Sequence, residues 1–199
     1  MNFYIIGRTT EIIASNIIER GINESIKTFS GSNAGICYMS NCYFNSSVSG
    51  KENAIKRFNR TMKSGHHSVA DHYNVTILME EIPKMLAMIL NSTQTYATSE
   101  KSARYTVMEN LTDEESKIVN KWNTILEIVL MRDHGLSKDD AIKIARENSR
   151  YFISIFSPAT TMSHTKTVRE WNYLYQWMNK LLNRMKKYNE QDGTMPSRT

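Results

Sequence analysis

The sequence predicts a mixed fold of the α+β or α/β class, in which helices dominate over a smaller sheet. Stretches with apolar residues at helical spacing occupy most of the chain, and several follow a recognisable capping residue. Two short runs of β-branched and aromatic residues are typical of strands. The length of 199 residues suits one domain, and the chain has no internal repeat and no long linker.

In the first half of the chain, the strand candidates are residues 3–6 and residues 75–79. Between them, residues 51–63 carry apolar side chains at helical spacing, which predicts a helix with Ala54, Ile55, Phe58 and Met62 on one face. We expect a second, buried helix from Pro83 to about Asn91, because proline suits the first turn of a helix.

In the second half, Thr112 and Glu115 form a capping-box pattern, which predicts a long helix ending near Gly135. Its expected apolar face consists of Ile118, Trp122, Ile125 and Val129. Ser137 predicts the start of the next helix, which runs through Ala141, Ile144 and Ala145. A last helix is expected from about Lys166, after the segment 157–161, with a core-facing stripe of Trp171, Leu174, Trp177, Met178 and Leu181.

The domain is expected to span residues 1–190, with a disordered polar tail at 191–199. No apolar run approaches the roughly 20 residues that a membrane span needs. The N-terminus is expected to form a first strand rather than a signal peptide, so we expect a cytoplasmic protein without a membrane partner. Cys37 and Cys42 are interpreted as reduced thiols, and a zinc site would need histidines brought in by the fold.

The net charge of +5 suits an anionic ligand and, weakly, a nucleic acid. Much of the excess lies in the last helix, where a solvated helix face is the simpler explanation; the residues are Lys180, Arg184, Lys186 and Lys187. We therefore expect a small anionic ligand, and we do not expect a nucleic acid partner.

Residues 64–72 contain three of the five histidines of the chain in a connection between a helix and a strand. A metal could use His66, His67 and His72 with Asp71, although this spacing matches no zinc motif. A solvated loop and a ligand-binding turn are the other interpretations, and we favour the turn.

Residues 98–105 concentrate polar side chains. If this segment is extended, Glu100, Ser102 and Arg104 share one face, which would present an acceptor, a hydroxyl and a fork-shaped cation. Such a face suits a phosphate and a hydrogen-bonding base. On spacing alone, a plain polar loop is the favoured interpretation of the segment.

Taken together, these segments resemble the flavin-dependent thymidylate synthases. The family's G-H-x-S/T-x-x-E-H segment falls on residues 65–72, which read Gly-His-His-Ser-Val-Ala-Asp-His. Its E-x-S-x-R-Y segment falls without a gap on residues 100–105. The resemblance covers about residues 30–180, strongly over 64–105, and it implies an α+β fold with a small, mostly antiparallel sheet flanked by long helices.

The chain departs from the family at the R-H-R triplet, which reads Ser92, Thr93 and Gln94. The missing guanidiniums remove bidentate contacts to phosphates. The family's N-x-R segment falls on residues 170–172, and its late arginine, which polarises the uracil base, falls near Leu181, beside Lys180.

The resemblance implies the following site residues. Those expected to bind the nucleotide are Glu100, Lys101, Ser102, Ala103, Arg104, Tyr105, Arg146 and Arg150. Those expected to hold FAD are His66, Ser68, Asp71, Ser92, Thr93, Gln94, Glu100, Asn172 and Gln176. Ser102, Arg104 and Lys180 are expected to act in catalysis. No metal is implied.

The activity that the resemblance implies is methylation of dUMP to dTMP. FAD would be the cofactor, with NADPH and methylenetetrahydrofolate as co-substrates, in a homotetramer. Two alternatives stay open: an enzyme of this fold that modifies another pyrimidine nucleotide, and a non-catalytic nucleotide-binding relative that has lost FAD binding.

Overall fold

The protein is described from a computed structural model. The structure describes residues 1–9, 11–13, 16–18, 21–36, 50–93 and 95–192, with the backbone alone for 11–13, 16–18 and 189–192. Cys37, Cys42, Gln94 and the last seven residues of the expected tail lie outside the described residues. By its contacts the chain divides into two compact units, Met1–Gly7 with Thr76–Thr165 and Arg8–Val75 with Lys166–Thr199, and each is described by itself.

Helices make up most of the described chain. They are α1 (Ile22–Gly35), α2 (Lys51–Lys63), α3 (Lys84–Leu90), α4 (Asp113–His134), α5 (Lys138–Ser149) and α6 (Val168–Asp192). Two 3₁₀ helices span His67–His72 and Arg150–Phe152. None of the helices in the described ranges is long and apolar enough to cross a membrane.

The strands are β1 (Asn2–Arg8), β2 (Glu11–Ile13), β3 (Asn16–Ile18), β4 (Asn74–Ile82), β5 (Ala97–Glu100) and β6 (Thr160–Thr167). A four-stranded sheet has the order β1-β4-β6-β5, and β2 pairs with β3 in a separate ribbon. β5 runs antiparallel to β6, with Glu100 opposite Met162. A small sheet with long helices confirms the α+β class.

The first unit contains most of the sheet together with α3, α4 and α5. The Oγ1 atoms of Thr76 and Thr165 lie 2.8 Å apart and link β4 to β6. α4 and α5 pack together. The apolar core of this unit consists of Val119, Met79, Ile82, Ala87, Leu90, Ala141, Ala145, Ala159 and Met162. Met162 of this core lies opposite Glu100 at the end of β5, where the sequence places its densest polar segment.

The second unit is built on a close contact between α1 and α2. A Cβ atom at Gly31 would lie 2.0 Å from the carbonyl oxygen of Ala54, so only glycine allows the two backbones to approach this closely. The buried Tyr73 meets Phe29 edge to face at 6.2 Å. Trp171 donates a hydrogen bond from Nε1 to the carbonyl oxygen of Val75 at 3.1 Å, which ties α6 to the start of β4.

The predicted helix ends are confirmed where capping chemistry decides them. Thr112 and Glu115 form both bonds of the capping box at the start of α4, and Gly135 ends that helix with a φ of 65°. The Ser137 hydroxyl accepts a hydrogen bond from the Asp140 amide at the start of α5. The predicted helix over residues 51–63 is α2.

The last helix begins within two residues of its predicted start, but the strand before it was not predicted. Residues 160–167 form strand β6, and α6 begins at Val168, so Lys166 belongs to a strand. Alternate side chains of β6 are buried, but they are Thr160, Met162, His164 and Lys166. Because three of these four are polar, the sequence shows no apolar alternation from which a strand could be predicted.

The predicted core faces of the two longest helices are wrong in part. Trp177 and Leu181 on α6 are 49% and 44% exposed, and Ile118 and Ile125 on α4 are also exposed. On α3, Ala87 and Leu90 are buried, but the side chains on which the expected buried helix rested are half-buried (Met85, Leu86 and Ile89) or exposed (Met88). Helical spacing identifies which side chains share a face, but it does not show whether that face is covered.

Candidate functional site

The polar segment that begins at Glu100 turns away from the sheet. Lys101 makes the last backbone bond to the neighbouring strand, from its amide to the carbonyl oxygen of Thr161 at 2.8 Å. The Ser102 carbonyl then accepts hydrogen bonds from the amides of Tyr105 and Thr106 at 3.3 and 3.2 Å. The expectation of one extended face for Glu100, Ser102 and Arg104 is therefore wrong, because Ser102 closes a turn.

A cavity of about 610 Å³, which we call the Glu100 cavity, lies against this turn. It brings together five of the predicted nucleotide-binding residues: Glu100, Lys101, Ser102, Ala103 and Arg150. The rest of its lining is Lys84, Met88, Glu147, Tyr151, Ile153, Ser154 and Ile155. Charged groups and hydroxyls thus share the cavity with apolar side chains, a composition typical of small-molecule sites.

Glu100 is held by two donors on the same oxygen. Lys84 donates from Nζ to Oε1 at 2.6 Å, and Thr160 donates from Oγ1 to that atom at 3.2 Å. The Glu100 side chain is 16% exposed and that of Lys84 is 34% exposed. Lys84 and Thr160 were not predicted as site residues. The sequence feature that could have identified Lys84 is its position, a single cation directly after Pro83 and before the apolar run 85–90.

Arg104 is paired with a carboxylate rather than directed into the cavity. Its Nε donates to Oε2 of Glu147 at 2.5 Å, and both side chains are well exposed. This hydrogen bond is the main reason that the pKa of the Arg104 guanidinium lies above its ordinary value. Glu147 lines the Glu100 cavity and Arg104 does not. Tyr105, the next predicted residue, is exposed.

The structure separates Arg146 from Arg150, which were both expected to bind the nucleotide. Arg150 lines the Glu100 cavity, and burial lowers the pKa of its guanidinium, an effect that the nearby Glu100 charge opposes. Arg146 lines a smaller cavity of about 140 Å³ between α4, α5 and the loop after β5. Only Arg150 is therefore grouped with the carboxylate of Glu100.

In the second unit, a cavity of about 580 Å³, which we call the His66 cavity, collects two of the predicted cofactor residues, His66 and Ser68. Its other polar side chains are Arg60, Asn33, Thr61, Ser64 and His72. Arg60 was not predicted as a site residue. The sequence feature that could have identified Arg60 is its position, a basic residue one helical turn before the histidine segment.

Two residues of the histidine segment are used within the fold. His67 lies outside the cavity lining, with its Nδ1 atom 3.1 Å from the hydroxyl of Tyr173. Asp71 pairs with Arg169 at 2.7 Å and accepts a hydrogen bond from Thr167 at 3.2 Å. Across the described residues, no group of three histidine, cysteine, aspartate or glutamate side chains could hold a metal ion.

The other predicted site residues that the structure describes lie directly after α3 or on α6. Ser92 follows α3, and its hydroxyl donates to the carbonyl oxygen of Ile89 at 2.6 Å. Thr93 is exposed beside it, while Gln94 lies outside the described residues. Asn172, Gln176 and Lys180 are exposed on α6. The hydroxyl of Ser92 is therefore already bonded to the end of α3.

Comparison with known proteins identifies the family. Residues 27–190 match the family described as thymidylate synthase complementing protein. Among solved structures, ThyX from Helicobacter pylori with FAD and dUMP is 13% identical, with a TM-score of 0.47 over 85% of this chain and 79% of that chain. The UMP/dUMP methylase PolB from Streptomyces cacaoi, bound with 5-Br dUMP, is 15% identical, with a TM-score of 0.48 over 83% and 73%.

No curated protein sequence matches this chain. The family match covers well over half of the 199 residues, and it includes both the histidine segment and the segment that begins at Glu100. The chain belongs to the thymidylate synthase complementing protein family, that of the flavin-dependent thymidylate synthases.

Proposed function

We propose that this chain binds a dUMP-like pyrimidine nucleotide in the Glu100 cavity and methylates it to dTMP in a flavin-dependent reaction. One observation carries the proposal: the cavity gathers five residues that were selected for nucleotide binding from the sequence alone. Membership of the family supports the same activity at the level of the reaction class.

The composition of the Glu100 cavity fits a nucleotide. Arg150 supplies positive charge for a phosphate, and the hydroxyls of Ser102 and Ser154 supply neutral donors. Met88, Ile153 and Ile155 provide apolar surface against which a base can pack. A volume of about 610 Å³ lies within the range of roughly 300–1,000 Å³ that is usual for small-molecule sites.

The His66 cavity fits the anionic part of a flavin dinucleotide. Arg60 supplies a guanidinium, and His66, Ser64, Ser68 and His72 supply further hydrogen-bonding groups. In the family's reaction, reduced FAD provides hydride, NADPH reduces the flavin, and methylenetetrahydrofolate provides the one-carbon unit. We assign these three molecules to this chain as part of the proposal.

The protein's own contribution would be to bind and orient the nucleotide. Glu100 offers Oε2 as an acceptor for the ligand, since Oε1 already receives bonds from Lys84 and Thr160. Ser102 and Arg104 are proposed to hold the phosphate end, which requires Arg104 to exchange Glu147 for the ligand. A catalytic role for Lys180 stays a prediction. Fixing the reactants in one geometry is the main source of rate in such a site.

A non-catalytic, nucleotide-binding role is the second candidate. It is favoured by the neutral triplet, where Ser92 caps α3 and presents no guanidinium. Modification of a different pyrimidine nucleotide is compatible with the same cavity. All three functions use the Glu100 cavity, and they differ in the reaction that follows binding.

We also propose that the chain works as a homotetramer. The exposed face of α6 carries large apolar side chains of the kind that interfaces bury, namely Tyr173, Tyr175, Trp177, Met178, Leu181, Leu182 and Met185. A cytoplasmic location stays a prediction.

Growth of a thymidine-requiring bacterial strain tests the proposed activity. We expect this chain to restore growth without thymidine and Arg104→Ala to abolish the rescue. Failure of rescue, with a melting temperature that still rises on addition of dUMP, would favour the non-catalytic role or another nucleotide. Failure of both would contradict nucleotide binding in the Glu100 cavity.

A further inference from the structure

We propose that Lys84 is a phosphate-binding residue of the Glu100 cavity, supplying a cation that no part of the recognised family motifs provides. The inference deepens the proposed function and rests on it. It begins with the position of Lys84, which is the first residue of α3 and lies between Pro83 and the apolar run 85–90.

The location of this lysine costs stability, which calls for a compensating interaction. A cation in the first turn of a helix is opposed by the positive end of the helix dipole. The short ion pair with Glu100, at 2.6 Å, offsets that cost. A residue that breaks a local rule and is held by a partly buried carboxylate is expected at functional sites more often than elsewhere.

The charges that line the cavity leave a net positive centre. Lys101 is paired with Glu109 at 3.0 Å, and Glu147 is paired with Arg104. The remaining charged groups of the lining are Lys84, Glu100 and Arg150, which amount to two cations and one carboxylate. The structure therefore has one positive charge in excess at this point, as an anionic ligand requires.

Both cations have donors to spare for a ligand. An ammonium group carries three protons, and among the described residues Lys84 donates one of them, to Glu100. Within the same part of the chain, the Arg150 guanidinium makes no hydrogen bond or ion pair. Its interaction with the Glu100 carboxylate is the electrostatic attraction between the two charges. A phosphate placed between Lys84 and Arg150 would accept hydrogen bonds from both. Glu100 would keep its hydrogen bond from Thr160.

The test compares a nucleotide with its nucleoside. Binding of dUMP and of deoxyuridine is measured by calorimetry for the wild type and for Lys84→Met, Lys84→Arg and Lys143→Met. Lys143 is an exposed lysine of α5 outside the cavity lining, so its variant is the matched control. We expect Lys84→Met to weaken dUMP binding about 10- to 100-fold and to leave deoxyuridine binding unchanged. Lys84→Arg should retain most of the affinity for dUMP.

A double variant separates a direct contact from an effect on Glu100. Removing Lys84 alone leaves the Glu100 carboxylate without its ion pair, which could repel a phosphate. The double variant, Lys84→Met with Glu100→Gln, lacks the carboxylate charge. If it still binds dUMP no more tightly than deoxyuridine, the result supports a direct contact between Lys84 and the phosphate. Recovery of the preference, an equal loss for both ligands, or no loss in Lys84→Met would overturn the proposal and leave the proposed function standing.

If the wild type binds neither dUMP nor deoxyuridine, the proposed function fails, and inorganic phosphate then tests Lys84 independently. At constant ionic strength, we expect phosphate to raise the melting temperature of the wild type and of Lys143→Met, but not that of Lys84→Met. Equal shifts in all three proteins, or no shift in the wild type, would overturn the assignment of Lys84. Lys84→Gln replaces Lys84→Met should the latter fail to fold.

Discussion

Arg104 and Glu147 hold each other across the rim of the Glu100 cavity, with Nε and Oε2 2.5 Å apart. The arginine that the family resemblance assigns to the nucleotide is therefore occupied by a carboxylate of the cavity lining. Because both side chains are exposed, the pair itself adds little stability and can exchange partners at low cost. In the proposed function, the phosphate of the nucleotide takes the place of Glu147 on the Arg104 guanidinium.

This exchange predicts opposite effects for the two partners on dUMP affinity. Arg104→Ala should weaken binding about 10- to 100-fold, because a charge-assisted contact to the phosphate is lost. Glu147→Gln should leave binding unchanged or strengthen it, because the competing carboxylate is gone. Calorimetric titration with dUMP measures both. Equal weakening by the two substitutions would mean that the pair acts as a structural unit and that Arg104 does not bind the phosphate.

If FAD binds in the His66 cavity, its affinity should depend on Arg60 of α2 and not on Lys56 of the same helix. Arg60→Gln should weaken FAD binding several-fold, and the difference from wild type should shrink in high salt as the interaction is screened. Lys56→Gln removes an equal charge from an exposed position of the same helix outside the His66 cavity, so it should have little effect. Visible absorption during FAD titration measures this. Equal effects of the two variants would point to general electrostatics and against a site at Arg60.

Some parts of the fold could be predicted because a few neighbouring residues determine them. Thr112 with Glu115, Ser137 and Gly135 marked helix ends by local hydrogen bonding and left-handed backbone geometry, and all are confirmed. α2 could be delimited because its apolar spacing is regular and Ala54 and Phe58 are in fact buried.

Other parts depend on contacts between residues far apart in the chain. β6 was missed because His164 and Lys166 occupy buried positions of a strand inside the sheet. The turn at Ser102 could not be distinguished from an extended strand by the pattern of polar residues. Lys84 and Glu147 were missed as site residues because each is paired with a residue far along the chain, 16 and 43 residues away respectively.

A carboxylate in the first turn of α4 predicts acid-dependent stability. The hydrogen bond from the Ser157 hydroxyl, followed by the one from the Thr112 backbone, lowers the pKa of Glu115 below its ordinary value. The ionised form is therefore favoured in the folded state. The resulting stability is present above the unfolded-state pKa of about 4.3 and is lost as the pH falls through the folded-state value.

Ser157→Ala removes the largest cause of this shift. We expect the variant to be less stable than wild type at pH 7 by about 1 kcal/mol, and we expect the difference to shrink as Glu115 becomes protonated. Urea unfolding at neutral and acidic pH measures the difference. Thr124→Ala is the control, since that hydroxyl donates to the neutral Asn120 carbonyl of the same helix. A deficit in Ser157→Ala that is independent of pH would contradict the role of Glu115.

If the exposed apolar face of α6 forms the interface of the proposed tetramer, a charge introduced into that face should prevent assembly. Leu181→Glu should dissociate the proposed tetramer, because a carboxylate would have to be buried without a partner in the interface. Asn183→Glu introduces the same charge on the same helix at a polar position and should leave the assembly intact. Light scattering on the purified proteins distinguishes these outcomes. A monomeric wild type would contradict the proposed homotetramer.

The most direct test of the central claim is to follow the nucleotide itself. The purified chain is incubated with dUMP, FAD, NADPH and methylenetetrahydrofolate, and the nucleotides are separated and identified by mass. We expect conversion of dUMP to dTMP that requires FAD and is lost in Arg104→Ala. Unchanged dUMP, in a preparation that binds both FAD and dUMP, would contradict the proposed methylation and leave a nucleotide-binding protein without this chemistry.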